Sequence, residues 1–272
     1  MEKAPLYSPA VVKGLLGDYG LRADKAFGQN FLIDGNILAH IVAAAAITAG
    51  DTVLEIGPGM GVLTRELAKR AAAVVAVEID RRLLPVLEAT LADCRNVRVV
   101  HADGLAFDLK ALPPSSLMVA NLPYNVGTAM VVRALESGRF KRLVFLVQKE
   151  VAQRLVAEAD SPHYGMLSLV AAHFGRVTVV RDVPPSAFLP MPEVTSSVVK
   201  VEVAASAQAD PELFKLIGQA FKHRRKTLKK NLLMAGYTAL PIDRALEALE
   251  VDPKARAETL SLAQFRSLRG WL

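Results

Sequence analysis

A glycine-rich loop follows an apolar run near residue 55. The run Val53-Leu-Glu-Ile56 leads directly into Gly57-Pro-Gly-Met-Gly61. Glycines at alternate positions let the backbone turn tightly and approach a ligand closely, because no Cβ atom stands in the way. The spacing differs from the Gly-x-Gly-x-x-Gly fingerprint that holds a pyrophosphate, and acidic Glu55 stands beside the loop. A carboxylate there repels phosphate, so the pattern favours a cationic ligand.

Two further acidic residues follow the next two apolar runs. Glu78 lies about twenty residues beyond the loop, where a carboxylate in nucleotide-binding folds accepts the ribose hydroxyls. Asp103 follows the third run, at a point where its carboxylate or the neighbouring backbone can contact an adenine amino group. Each acid alone is typical of a solvated strand end or a helix cap. At successive strand ends, together with the glycine loop, they predict a nucleoside site.

The most specific signal is Asn121-Leu-Pro-Tyr124, directly after the fourth apolar run. The exocyclic amine of adenine is a poor nucleophile, because its lone pair is delocalised into the ring. The Asn121 side-chain oxygen and the backbone carbonyl of Leu122 or Pro123 can accept its N–H groups and direct its lone pair at an electrophilic methyl group. Pro123 fixes the local backbone, and Tyr124 offers a face on which a base stacks.

Phe188 begins the proline-rich stretch Phe188-Leu-Pro-Met-Pro192, which can return over the same pocket. Two interpretations stay open from the residues alone. Phe188 forms a second aromatic wall opposite Tyr124, or it packs against the sheet as an ordinary loop anchor. If the electrophile is a methyl group on a sulfonium, the reaction is an in-line displacement with a neutral leaving group and requires neither a metal nor a strong base.

The elements that must position these residues alternate between strands and helices. We predict strands over Thr52–Ile56, Ala73–Glu78, Val97–Val100, Leu117–Ala120 and Leu143–Val147, with helices over 61–70, 81–91, 126–135 and 150–157. Alternation with near-continuous apolar strands indicates an α/β fold whose parallel sheet is covered on both faces. Strands Val177–Val183 and Ser196–Val203 have no helix between them, which predicts an antiparallel pair at the sheet edge.

The two ends of the chain have helical patterns. Ser8-Pro9 predicts a helix to about Asp18, and Asp34 predicts another that holds Ile37 and Ile41. The apolar segment Phe27–Ile33 between them is expected to pack over another part of the molecule. After the small residues 204–209, helices are predicted over Pro211–Phe221, Arg225–Met234, Ile242–Leu249 and Leu262–Leu268. We therefore expect a sheet domain over 1–208 and a small all-helical domain over 209–272.

Composition excludes several classes of protein. The 272 residues are 52% hydrophobic and 22% charged, enough for a substantial core and unlike a disordered chain. The single cysteine, Cys94, excludes an internal disulfide framework and a cysteine-based metal cluster. The first residues lack a secretion pattern, and no apolar run is long enough for a membrane span. We expect a cytoplasmic monomer without a membrane partner.

Positive charge is concentrated near the C-terminus. The chain carries 33 basic and 27 acidic residues, and the part from Asp210 onward holds 12 and 7 of them. Between Lys215 and Lys230 there are seven Lys or Arg residues and no acid. On one continuous helix these residues predict an outward cationic stripe that binds RNA phosphates without reading sequence. The expected contacts are Lys222, Arg225, Lys226 and Lys229.

In its glycine loop and the acids that follow, the chain resembles the Rossmann-like class I S-adenosylmethionine-dependent methyltransferases. Over nearly its whole length it resembles the small-subunit ribosomal RNA adenine N6,N6-dimethyltransferases of bacteria. The matching segments are Gly28-Gln-Asn-Phe-Leu-Ile-Asp34, Glu55-Ile-Gly-Pro-Gly-Met-Gly61, Glu78-Ile-Asp80, Asp103, Asn121-Leu-Pro-Tyr-Asn125, Phe188-Leu-Pro-Met-Pro192 and the basic stretch near Phe221. One departure is Gly127, where relatives often carry serine.

The resemblance implies the ligands and the reaction. It implies that S-adenosylmethionine is contacted by Asn30, Leu32, Gly57, Glu78, Asp103 and Asn121. It implies that Tyr124 and Phe188 hold the target base. The activity implied is dimethylation of two adjacent adenosines in the hairpin loop near the 3′ end of the small-subunit rRNA, late in assembly of that subunit.

Three other functions share part of this sequence pattern. An NAD-dependent oxidoreductase is disfavoured by the glycine spacing and by the lack of a Tyr–Lys or His hydride-transfer set. A large-subunit rRNA adenine methyltransferase of the macrolide-resistance type shares the catalytic motifs. The third alternative is a nucleic-acid-binding or assembly factor that has this fold but no catalytic activity. The complete Asn-Leu-Pro-Tyr motif and the intact acids argue against an inactive protein. The overall match and the sizeable helical region favour the small subunit.

Overall fold

The chain forms two compact units in a computed structural model that describes residues 4–23 and 28–272. The sheet unit runs up to Ala152 and includes Val177–Ala205, and the helical unit comprises Gln153–Arg176 and Ser206–Leu272. The predicted boundary assigned 153–176 to the sheet domain, whereas here it lies with the C-terminal helices. The reason is local packing, since the Tyr164 hydroxyl donates to the carbonyl of Leu260 at 2.8 Å.

The sheet unit is built on a seven-stranded sheet and a separate pair of two-residue strands. In chain order the strands are β1 Phe31–Leu32, β2 Thr52–Ile56, β3 Ala73–Glu78, β4 Val97–His101, β5 Ser116–Asn121, β6 Phe140–Gln148, β7 Gly175–Val183, β8 Phe188–Leu189 and β9 Ser196–Val203. All seven predicted strands are present, with bounds that differ by a few residues at most. The two short strands, β1 and β8, were not predicted.

The strand order in the large sheet is β4-β3-β2-β5-β6-β9-β7. Strands β2 to β6 pair in parallel, and β9 pairs antiparallel to β6. The predicted mostly parallel α/β fold is therefore confirmed, and the last two strands lie side by side at one end. The antiparallel strand β9 is nevertheless not the edge itself, because it lies between β6 and β7. The edge is β7, most of which is exposed.

Helices on the sheet unit begin close to their predicted starts. They are α1 Pro9–Asp18, α2 Gly35–Ala45, α3 Val62–Ala68, α4 Leu84–Thr90, α5 Gly127–Glu136 and α6 Lys149–Val156. Asp34 caps α2 as predicted, since its carboxylate accepts the backbone N–H groups of Asn36 and Ile37. Ser8 occupies the N-cap position of α1 without a side-chain cap bond.

Two apolar clusters hold these elements together. In the larger one, Ile37 and Ile41 of α2 pack with sheet residues such as Val53 and Leu117. The smaller one joins α1 to the glycine loop, through Val12, Phe31, Met60, Leu83 and Val86. The predicted packing of the apolar N-terminal segment is thus confirmed from Gly28 onward, and Phe27 lies outside the described residues.

The helical unit contains the remaining helices. They are α7 Met166–Phe174, α8 Pro211–Ala220, α9 Leu228–Met234, α10 Ala239–Ala248 and α11 Leu262–Arg269. Phe221 lies in this unit's core, with ring centroids 6.2 Å from Tyr164 and 6.1 Å from Phe265. No helix in the described ranges is long and apolar enough to cross a membrane.

The basic stretch does not lie on one continuous helix, so the predicted single-helix stripe is wrong. Residues 221–227 form turns between α8 and α9. The amide nitrogen of Asn231 explains the interruption, because it donates to the carbonyls of Ala220 at 2.8 Å and His223 at 3.2 Å. Thr227 then begins α9, since its hydroxyl accepts the Lys230 N–H.

Candidate functional site

A cavity opens at the carboxyl ends of β2, β3 and β5, where open parallel sheets bind their ligands. It contains about 1070 Å³ of space between atoms, part of it open to solvent. The six predicted cofactor contacts all line it, as do Leu122, Pro123 and Tyr124. The lining also includes Gln29, Glu55 and Ile79, which the predicted cofactor set left out. The structure thus brings together every predicted sheet-unit site residue except Phe188.

The glycine loop is held closely against its surroundings. The N–H of Gly57 donates to the Val77 carbonyl at 2.9 Å, and that of Gly59 donates to the Glu78 carboxylate at 3.2 Å. Gly59 has φ +59°, and a Cβ atom there would come within 3.1 Å of the Phe31 ring. Glycine is required at this position both by the backbone conformation and by the N-terminal segment that covers it.

Glu78 is buried beneath the loop with only 4% of its surface exposed. Its carboxylate accepts the Asp80 N–H at 2.9 Å in addition to that of Gly59. Burial raises its pKa, an effect that these two amides partly offset. Each carboxylate oxygen can accept a second bond, which leaves Glu78 able to receive hydroxyl groups. Asp103 lies at the cavity's exposed rim, with one oxygen bonded to the Leu105 N–H at 2.8 Å.

Glu55 is the most unusual group in the cavity. It is 1% exposed, and its Oε2 atom has no hydrogen-bond partner among the described residues. Burial raises the pKa of this carboxyl to about 8, with a lowering contribution from Thr64 and a raising one from the negative charge of Glu78. An unpaired buried acceptor at a cavity wall is costly without a ligand. It fits a positively charged group.

Replacing Glu55 with Gln is expected to stabilise the ligand-free protein at alkaline pH. The pKa rises from about 4.5, its ordinary value, to about 8 on folding, so the unfolded chain loses this proton first as pH rises. The neutral carboxyl therefore contributes its full stability below pH 4.5. This contribution to the free energy of unfolding is lost progressively as the pH rises from 4.5 to about 8. Gln has no proton to lose, so the variant should gain roughly 5 kcal/mol at the alkaline end.

Urea unfolding of wild type and Glu55→Gln across this pH range measures the difference. Glu88→Gln, at an exposed position, serves as the matched control and should show no such pH-dependent gain. A free-energy difference between Glu55→Gln and wild type that stays constant with pH would contradict the assignment of a buried neutral carboxyl.

Asn121 ends β5 with its side-chain amide fixed in one orientation. Its Nδ2 donates to the backbone carbonyl of Asn30 at 2.9 Å. A carbonyl can only accept, so the nitrogen must face Asn30, and Oδ1 remains available as an acceptor. This bond also joins the N-terminal segment to the Asn-Leu-Pro-Tyr loop.

The loop distinguishes between the two backbone carbonyls that the sequence left open. The Pro123 carbonyl already accepts the N–H groups of Val126 at 3.2 Å and Gly127 at 3.0 Å, which begin α5. Within the described part of the chain, no such bond is made to the Leu122 carbonyl. Leu122 is therefore the better second acceptor beside Asn121.

Tyr124 is half-buried at the cavity, and its hydroxyl lies 2.6 Å from Ser196 Oγ. Burial raises the pKa of this phenol, so it stays neutral at physiological pH. Gly28 passes directly over the loop with φ +62°. A Cβ there would lie 3.2 Å from the Tyr124 nitrogen and 3.3 Å from Asn125 Oδ1. The N-terminal segment therefore helps to fix the backbone around Tyr124.

Phe188 does not line the cavity. It is 2% exposed and belongs to the larger core cluster. Its backbone lies opposite Leu32 in the antiparallel β1–β8 pair, and Leu189 lies opposite Phe31. Of the two interpretations left open, this burial favours the loop anchor over the second aromatic wall. Phe188 instead supports β1, the strand that directly follows Asn30.

Sequence reasoning missed the contact that Gln29 makes. Its side-chain amide donates to Asp80 Oδ2 at 2.8 Å, and Asp80 is also paired with Arg82 at 2.8 Å. The available signal was a polar residue inside an otherwise apolar segment. Asp80 lies two residues beyond the end of β3, and no local pattern connects this position with Gln29.

The predicted RNA contacts differ in their surroundings. Residues 221–227, between α8 and α9, form the basic loop. Its side chains Lys222, Arg225 and Lys226 are exposed, and none has an ion-pair partner within residues 4–23 and 28–272. Lys229 lies on α9, and its Nζ is 2.5 Å from Asp243 of α10. Lys229 therefore has an acidic neighbour on another helix, although there is no acid between Lys215 and Lys230.

The sheet order, the glycine loop with its acids and the cavity at their strand ends define a class I S-adenosylmethionine-dependent methyltransferase. The comparisons with known proteins are more specific. The chain belongs to the ribosomal RNA adenine dimethylase family, because the model of that family matches residues 20–272. Methyltransferases of this family use S-adenosylmethionine, which is therefore this chain's cofactor.

Individual relatives agree with this membership. The chain is 48% identical over 268 residues to a protein of Deinococcus radiodurans named ribosomal RNA small subunit methyltransferase A, covering 98% of this chain and 91% of that one. A dimethyladenosine transferase structure from Plasmodium falciparum aligns with a TM-score of 0.77 at 28% identity, covering 88% and 95% of the two chains. The 23S rRNA methyltransferase ErmE aligns with a TM-score of 0.71 at 28% identity, covering 89% and 99%.

Proposed function

We propose that this protein transfers methyl groups from S-adenosylmethionine to N6 of two adjacent adenosines in the 3′-terminal hairpin loop of small-subunit rRNA. The product is a pair of N6,N6-dimethyladenosines, formed on the small subunit during late assembly. The observation that carries the proposal is the fixed amide of Asn121, whose nitrogen is bound to Asn30 and whose oxygen remains an acceptor. The small-subunit target is supported by the relative from Deinococcus radiodurans.

The cavity has a complementary group for each part of the cofactor. Glu78 is placed to accept the ribose hydroxyls, and Asp103 lies where the adenine amino group is expected. The loop at Gly57, together with Asn30 and Leu32, surrounds the remaining space. The unpaired oxygen of Glu55 can accept a hydrogen bond from the positively charged methionine part, whose charge favours the ionised form of this carboxyl. When bound, the cofactor supplies an electrophilic methyl group on a sulfonium.

The protein's own part in the reaction is to position the adenine amine. Asn121 Oδ1 and the Leu122 carbonyl accept its two N–H groups, so the nitrogen becomes pyramidal and its lone pair is directed at the methyl carbon. The lone pair forms the new N–C bond while the C–S bond breaks, and its electrons remain on a neutral thioether sulfur. The displaced N–H proton passes to water. Pro123 restricts the backbone beside the Leu122 carbonyl and the bond to Asn30 holds the Asn121 amide, so both acceptors are in place beforehand, as electrostatic preorganisation requires.

The target base must leave its stack to reach these acceptors. Tyr124 provides the face against which the extruded base stacks, and its bond to Ser196 keeps the ring in one orientation. Phe188 contributes indirectly, by holding β1 and through it Asn30.

Tyr124→Ala should weaken methylation mainly by misplacing the base, by roughly tenfold to a hundredfold in kcat/KM for RNA. Tyr124→Phe keeps the ring and loses only the bond to Ser196. It should therefore stay close to wild type. Steady-state kinetics with unmodified small subunits and labelled cofactor measure both variants. Equal damage from Phe and Ala would show that the hydroxyl matters and stacking does not.

The exposed cations Lys222, Arg225 and Lys226 extend this function to the ribosomal particle. They are placed on a loop that no acid in the described ranges neutralises. Phosphate contacts from such a loop give salt-sensitive affinity with little sequence information. Lys229 contributes less, because Asp243 competes for its charge. We propose that the protein acts in the cytoplasm as a monomer on the assembling small subunit.

A transfer assay with mapped products tests the function. Purified protein and labelled S-adenosylmethionine are mixed separately with unmodified small and large subunits. The expected result is label on two adjacent adenosines of the small-subunit hairpin loop. The structural similarity to ErmE favours a large-subunit methyltransferase as the second candidate. Label on large-subunit rRNA alone would select that candidate, and no label on either would overturn enzymatic function.

A further inference from the structure

The outward face of α9 combines a lysine with exposed apolar side chains. The buried residues of this helix are Leu228, Asn231 and Leu232. Lys230, Leu233 and Met234 are exposed. Their i, i+3 and i+4 spacing places all three on the side of the helix opposite the buried residues. Leu233 is 41% exposed and Met234 is 58% exposed, so this side leaves substantial apolar area in water.

Helix α10 extends the apolar area. Leu240 is 61% exposed, and it lies three residues before Asp243, on the same side of α10. Asp243 is bound to Lys229 of α9, and Leu233 follows Lys229 by one helical turn. Leu233 and Leu240 therefore lie on either side of the Lys229–Asp243 ion pair that joins α9 to α10. We call Leu233, Met234 and Leu240 the α9–α10 apolar surface.

This surface is joined rigidly to the basic loop. Asn231, on the buried side of α9, donates to the carbonyls of Ala220 and His223 and so fixes the loop to the helix. From Leu213 to Ile242 the chain contains no Asp or Glu and seven Lys or Arg residues. Asp243, the next residue, pairs with Lys229, so the cations beside the apolar surface that remain to complement a polyanion are Lys230 and those of residues 221–227.

We propose that the α9–α10 apolar surface docks directly on ribosomal RNA, with Leu233, Met234 and Leu240 against sugars and base edges. Lys230 and the basic loop then bind adjacent phosphates. The wide, shallow minor groove of A-form RNA exposes sugar and base surfaces of this kind. Lysine is depleted at protein–protein interfaces, which favours RNA over a ribosomal protein. The inference rests on the proposed function and adds a second, uncharged component to RNA affinity.

Salt dependence separates the two components. The test variant is Leu233→Gln with Met234→Gln and Leu240→Gln, and the matched control is Val179→Gln on the exposed edge strand β7. Binding to protein-free small-subunit rRNA and to small subunits is measured across a series of salt concentrations. We expect the triple variant to bind both about tenfold more weakly at every salt concentration, with an unchanged slope. Thermal melting of each variant checks the fold.

The outcomes are distinguishable. Unchanged affinity of a folded triple variant for both ligands overturns the proposal. Weaker binding to small subunits with unchanged binding to free rRNA assigns the surface to a ribosomal protein and also overturns it. Failure of the proposed function is separate, since the wild type itself would then neither bind nor methylate small subunits.

Discussion

Asn121→Ala should reduce methyl transfer to small-subunit rRNA by about a hundredfold to a thousandfold, the range found when one preorganised polar group is removed from a reaction centre. The substitution removes the oxygen that accepts the adenine amine and leaves the Asn30 carbonyl without its 2.9 Å donor. The core beneath is apolar and unaffected, so the fold should persist. Single-turnover rates with saturating cofactor and small subunits measure the loss.

A second variant separates the two roles of this amide. Asn121→Asp keeps an oxygen acceptor but cannot donate to Asn30, so it should retain the fold and recover little of the rate. Near-wild-type turnover by Asn121→Ala would contradict the acceptor scheme. Full activity in Asn121→Asp would show that the bond to Asn30 has no part in orienting the group.

Joint replacement of Lys222, Arg225 and Lys226 with Gln should weaken binding to small subunits by roughly a hundredfold and flatten its salt dependence by about two in logarithmic slope. The three side chains are exposed, and no acid in the described ranges pairs with them. Adding Lys229→Gln should change little more, because this lysine is already bound to Asp243. Equilibrium binding across a salt series gives affinity and slope together.

The matched control removes the same number of lysines and arginines elsewhere. Lys13, Arg98 and Lys110 are exposed in the sheet unit, and their replacement with Gln alters net charge equally. We expect a small, uniform effect from this control. An equal loss in both triple variants would mean that net charge, and not the basic loop, determines affinity.

The two buried acids explain why the cavity is costly to maintain without its ligand. Glu55 and Glu78 are almost fully buried, and burial raises both pKa values. Burial of such groups destabilises the free protein, and the Glu55 oxygen without a hydrogen-bond partner is left for a complementary ligand, a common exchange of stability for function. The pH dependence expected of Glu55→Gln follows from the same feature.

The strands and the cavity were predictable because their signals are local. Runs such as Ala73–Val77 are apolar throughout and rich in valine, as expected of a strand covered on both faces. Glu78, Asp103 and Asn121 follow three such runs, and parallel strands bring their ends to one edge of the sheet. Their convergence therefore followed from order along the chain.

The other features depend on contacts between distant residues. The β1–β8 pair joins two-residue strands more than a hundred and fifty positions apart, and it turns Phe188 into the core. The break before α9 depends on a buried amide, Asn231, that no helical pattern distinguishes from a surface one. The placement of 153–176 with the helical unit rests on Tyr164 and Leu260. The periodicity of a sequence shows which face of a helix or strand is apolar. It does not show which part of the chain packs against that face.

A crystal structure with a donor analogue and an adenosine-containing RNA hairpin tests the acceptor arrangement most directly. We expect the adenine N6 to lie about 3 Å from both Asn121 Oδ1 and the Leu122 carbonyl oxygen, with the adenine ring stacked against Tyr124. An Asn121 oxygen turned away from the base, or a base held elsewhere in the cavity, would contradict it.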